Sequence, residues 1–117
     1  MRKDIEKRLI HLALKINNLC KFLDESYLSK HLTKQIIRSS TSAALNYGEV
    51  QGAESRKDFI HKNGVVLKEL RETKVCLLLI KGAIKSKEFD ILSYCLNECD
   101  QMVAIFHKTV MTLKGKR

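Results

Sequence analysis

Asp58 and His61 stand three residues apart in the run Asp58-Phe59-Ile60-His61, a spacing that puts a carboxylate and an imidazole on one helical face. That is a fragment of the bundle-type di-iron or di-manganese motif, which takes Glu-x-x-His from each of two helices and further carboxylates from the others. The chain offers a single such approach, so no centre of this kind is expected. Cys95 and Cys99 lie at i and i+4, but Cys99 falls on an apolar seam with no histidine one turn away, which favours buried thiols over zinc. His11, His31, His61 and His107 are scattered, and beyond the single Asp58–His61 approach none has a paired carboxylate at fixed spacing. The reading is of a protein that is not an enzyme and that takes no metal and no cofactor.

The chemistry on offer is cationic. Lys and Arg total 22 against 13 acids, a formal charge of +9 on 117 residues, and a small domain this basic attracts polyanions. Lys57, His61, Lys68 and Arg71 follow one helical line at spacings of 4, 7 and 3, so their heads can meet successive phosphates; Lys74 joins this group. Arg8 and Lys15 mark a second basic surface on the first helix. The chain has four Phe, three Tyr and no Trp, and Phe59, Phe89 and Phe106 fall on core seams, so few rings are left to stack on bases. Binding would therefore run to the phosphate backbone, weakly selective and salt-sensitive. The competing reading is a solvated face whose lysines keep the protein soluble.

The elements that must hold these residues are helices. With no proline and five glycines there is little punctuation for turns or a sandwich. Ile5, Leu9, Leu12, Ile16, Leu19 and Leu23 recur at 4, 3, 4, 3 and 4, one stripe along a helix. Phe89, Leu92, Leu96, Cys99, Val103, Phe106, Val110 and Leu113 repeat the pattern, as do Phe59, Asn63, Val66, Leu70, Thr73, Leu77, Ile80 and Ile84. Leu32, Ile36, Ser39, Ala43 and Val50 make the same stripe in smaller residues. Ser29 and Ser86 read as N-caps, Ser55 with Asp58 as a capping box, and Gly52 as a C-terminal glycine. The prediction is an all-α, antiparallel up-down-up-down four-helix bundle in one domain over residues 1–117, with helices at about 3–23, 29–51, 56–84 and 87–113. No signal peptide and no apolar run of membrane-spanning length is read, so a cytoplasmic protein with no membrane role is expected. The four cysteines are expected to be free thiols.

Two features are unusual. Between Arg38 and Glu49 there is no charge, although 30% of the chain is charged. Such a face admits close approach of another backbone, so packing on more than one side is inferred, the second side being a neighbouring subunit; a tight crossing inside the bundle is the alternative. Asn63 and Thr73 put polar groups on an apolar seam, where they set helix alignment or oligomer state, or form a water-linked core pair.

The segment RSSTSAALNYGEVQGAESRKDFIHKNGVVLKELRETKVCLLLI resembles the signature of the bacterial 23S rRNA-intervening-sequence proteins, which are similar to the accessory variability protein of diversity-generating retroelements. The matching positions are Ser39 to Ser42, Asn46, Glu49, Ser55, Asp58, Phe59, Glu69 and Glu72; Ala43 to Leu45 and Val75-Cys76 depart from the pattern at places that bear on packing. The resemblance implies a four-helix bundle that assembles as a homopentamer and binds nucleic acid or a nucleoprotein, and it brings no catalytic residues. Ser39, Ser42, Ala44, Asn46 and Glu49 are accordingly candidates for an oligomer interface or a structural turn motif, the turn role being favoured for Asn46 and Glu49. The leading function is a non-catalytic oligomeric module binding RNA or a ribonucleoprotein through its basic surface. The alternative is a protein-binding scaffold for an acidic partner, such as a mobile-element enzyme, without a nucleic-acid role.

Overall fold

The computed structural model describes residues 2–84 and 89–115. Four helices follow in order, α1 (Arg2–Cys20), α2 (Tyr27–Val50), α3 (Arg56–Ala83) and α4 (Phe89–Leu113). Each packs on its chain neighbours and α1 also packs on α4, which closes an up-down-up-down bundle of 45 × 23 × 22 Å. No helix among the described residues is long and apolar enough to cross a membrane.

Helix ends follow from local hydrogen bonds. Ser55 Oγ accepts from the Asp58 N–H at 3.0 Å, while Asp58 Oδ2 accepts from the Glu54 N–H at 3.2 Å. This is a capping box with the acid reaching one residue further back than usual, and it leaves the carboxylate at the positive end of the helix dipole. The cap of α2 is Ser26, not Ser29: Ser26 Oγ accepts from the Ser29 N–H, and Asp24 Oδ1 accepts from the Ser26 N–H. Ser29 lies inside the helix and is buried. Helix α1 stops at Cys20 rather than near Leu23, its last turn closing through three-residue bonds as far as Leu23 N–H to Cys20 O at 3.2 Å. Gly52 follows the C-cap Gln51 but is not left-handed; among the described residues only Gly115, after α4, has positive φ (73°). The expected cap at Ser86 lies outside the described residues.

The middle of the α1 and α3 stripes is buried as read, while the end members Ile5, Leu23, Phe59 and Ile84 are only partly buried. Leu9, Leu12, Ile16 and Leu19, then Val66, Leu70, Leu77 and Ile80, are sealed in one core. On α4 the sealed line is displaced. Cys95 and Met102 are fully buried, while Leu96 and Val103 are only partly so. The shift is toward the edge carrying Tyr94 and Glu98, whose polar ends meet α1.

Candidate functional site

Lys57, His61, Gly64, Lys68 and Arg71 line the outward side of α3. Beside them, against the last turns of α4, run two adjoining depressions of about 350 and 250 Å³. Lys57, His61 and Lys114 line the first; Lys68, Arg71, His107 and Lys114 line the second; Gly64 is common to both. Among the described residues no carboxylate lines either one. A Cβ added at Gly64 would meet nothing within 4 Å, so the missing side chain leaves the shared floor open. Lys57 and Lys68 have no acidic partner among the described residues, and Arg71 Nη2 sits 3.0 Å from His107 Nδ1. His107 of α4 and Lys114 just beyond its end escape sequence reading because they join the line only through the antiparallel pairing of α3 with α4.

The remaining basic candidates are placed differently. Arg8 grips Glu98 through Nε and Nη2 at 2.8 and 2.7 Å and also donates to Gln101 Oε1 at 2.9 Å. That hydrogen bonding raises the Arg8 pKa and holds the Glu98 carboxyl below its ordinary range. Lys74 is bound to Asp100 at 2.8 Å, which raises its pKa in turn. Arg8 and Lys74 thus cross-link α1 and α3 to α4, and the structure does not bring them to the groove. Lys15 is half-buried on α1, away from both depressions.

The uncharged run of α2 faces α3 through a polar network. Ser39, Ser40 and Ala43 are buried. Thr73 Oγ1 donates to Glu69 O at 2.8 Å, so the 2.7 Å approach of Ser39 Oγ to Thr73 Oγ1 has Ser39 as donor. The carboxylate of Glu69, a residue only 8% exposed, accepts from Ser42 Oγ at 3.1 Å and from Arg38 Nη1 at 3.3 and 3.4 Å. Arg38 also binds Glu72, and Asn46 Nδ2 donates to Ser42 O and Oγ at 2.8 and 3.0 Å. Several positions that carry the family likeness are therefore joined across one helix pair. Glu49 lies 3.6 Å from Lys62 Nζ at the α2–α3 turn. Ala44 is half-buried, whereas Leu45 is 70% exposed, so the outer side of this run has no cover among the described residues.

Glu69→Ala is expected to cost about 1–3 kcal/mol in urea unfolding, because it leaves Ser42 and one arm of Arg38 without their acceptor. Glu69→Gln should cost less, since the amide oxygen still accepts. A change within error for the alanine variant would mean that water replaces the carboxylate freely.

All four cysteines are free. Burial pushes the Cys95 and Cys99 thiols up to about 12, so they are protonated at neutral pH. No group of three or more His, Cys, Asp or Glu among the described residues could hold a metal ion.

A family model described as 23S rRNA-intervening sequence protein matches residues 2–105. Among solved structures, the chain is similar to a protein with unknown function from the S23 ribosomal protein family of Bacteroides thetaiotaomicron VPI-5482. The two share 30% identity over 91% of this chain and 97% of that one, with a TM-score of 0.76. None of the curated proteins matches the chain.

Proposed function

The chain belongs to the 23S rRNA-intervening sequence protein family, and from that premise we propose that it is a non-catalytic, oligomeric module whose α3/α4 groove holds the phosphate backbone of RNA, free or within a ribonucleoprotein. The observation that carries this reading is the groove itself: cationic and imidazole side chains line it, no carboxylate among the described residues does, and Lys57 and Lys68 are not tied to an acid there. From Lys57 to Arg71 the line runs about 21 Å along the helix, long enough for several successive phosphates.

Fluorescence anisotropy with a labelled structured RNA tests this. Log K should fall linearly with log salt, by roughly 0.7–0.9 units of slope for each phosphate neutralised. No binding at about 50 mM salt would end the reading. The scaffold for an acidic protein partner draws support from a different observation. Beyond Arg71 the outward side of α3 turns apolar, with Val75 56%, Leu78 49% and Leu79 49% exposed, a mixed surface better suited to protein than to a uniform phosphate chain. Affinity for an acidic protein with none for RNA would favour it.

Self-association is part of the proposal. Besides α3, apolar side chains are exposed on α1 (Ile10 48%, Leu14 59%) and on α2 (Leu45 70%). Apolar side chains on different helices suit head-to-tail association, which closes a ring when the rotation permits, and we propose five copies, the number that the sequence resemblance implies. Light scattering should then give about five times 13.5 kDa. Ala44→Leu should dissociate the assembly while the monomer stays helical, since overpacking costs about 1–3 kcal/mol at each repeated interface. A wild-type monomer at micromolar concentration would refute the ring.

A further inference from the structure

At the end of the bundle where α1 and α3 begin and α2 and α4 finish, the helices border a half-open cavity of about 560 Å³. That is within the range of small-molecule sites, about 300–1,000 Å³. Tyr47, Phe59 and Phe106 line it, three of a total of seven Phe and Tyr, and Tyr47 meets Phe106 edge to face at 5.5 Å. A buried amide borders this apolar space. Asn63 is 3% exposed and lines the cavity. Its Nδ2 donates to Phe59 O at 2.9 Å, and because that partner only accepts, the amide orientation is set. Asn63 Oδ1 has no partner among the described residues. No sealed polar atom among those residues lacks a partner, so this oxygen is open, and the cavity that Asn63 lines is where it opens.

Charge narrows the ligand further. Arg8 lines the cavity too, but its guanidinium is already engaged by Glu98 and Gln101. Asp4, the other charged lining residue among the described ones, is exposed. An anionic ligand would lose water without gaining a free counter-charge, and a cationic one would meet Asp4 only where water screens the pair. We propose that this cavity binds a small, uncharged, planar aromatic molecule that donates one N–H or O–H to Asn63 Oδ1. The site is separate from the basic groove, which lies on the opposite side of α3.

Indole and 1-methylindole, alike in shape but differing in the N–H donor, are the probes, titrated into the full-length protein and followed by methyl NMR. Indole should produce saturable shifts at the Ile5, Val50 and Ile105 methyls that line the cavity. It should bind roughly five- to tenfold more tightly than 1-methylindole, the worth of one hydrogen bond. Asn63→Leu should remove that preference, and Thr109→Phe, which places bulk in the cavity, should abolish binding of both probes with cooperative melting retained. Absence of saturable shifts at these methyls up to about 5 mM indole overturns the proposal. So does equal affinity of the wild type for the two probes, a result that does not depend on either variant folding.

Discussion

Converting Lys57, Lys68 and Arg71 together to glutamate is expected to abolish most RNA affinity, by on the order of a hundredfold or more at low salt, and to flatten the salt dependence by roughly one slope unit for every phosphate that each subunit no longer neutralises. The size follows from position. These three side chains line one continuous basic surface with His107 and Lys114 and have no buried salt bridge to lose among the described residues, so the fold should tolerate the change. Lys15→Glu is the matched control, since that residue lies away from the groove; Arg8 and Lys74 are poor controls because reversal there would set two acids face to face. Unchanged binding by the triple variant would move the interface elsewhere, with the α1 surface around Lys15 next to test.

Leu70→Ala is expected to destabilise the protein by about 2–5 kcal/mol in urea or thermal unfolding. Leu70 is 0% exposed at mid-bundle, where neighbouring helices leave little room for the cavity to collapse. Leu96→Ala should cost clearly less, because Leu96 packs at the edge of the core rather than inside it. Losses below about 0.5 kcal/mol at both positions would mean that the core is not packed as described. Equal losses at the two would argue for the unshifted α4 stripe.

That difference at α4 shows what the sequence could convey. Spacing alone located the seam of α3 down to its two polar members, although Leu67, Glu69 and Cys76 beside it are buried as well. On α4 a second choice existed. Cys95 and Met102 are as apolar as Leu96 and Val103, and the choice between them was made by Arg8 and His11 of α1 reaching Glu98 and Tyr94, pairings between residues far apart in the chain. The α2 cap was misplaced for a related reason: Ser26 and Ser29 are the same residue type, and only the Asp24 carboxylate holding the Ser26 N–H distinguishes them. The basic line on α3 was readable, but its groove was not, since half of the groove belongs to α4. The end cavity gave no local signal beyond an asparagine on an apolar seam.

The network between α2 and α3 bears on which bundle this chain avoids forming. A face built of Ser, Thr and Ala has few knobs, so steric fit alone would let α3 slide along α2 by a heptad at little cost. Hydrogen bonding forbids it. Displaced by seven residues in either direction, Ser39 would face Val66 or Ile80 in place of Thr73, and Glu69 would leave Ser42 for Gln35 or Glu49. One of those slips brings two carboxylates together, and each buried group left without its partner costs about 1–3 kcal/mol. The hydroxyls and the buried acid thereby act as a vernier on a smooth surface: they permit close approach of the two helices while allowing only one position along it.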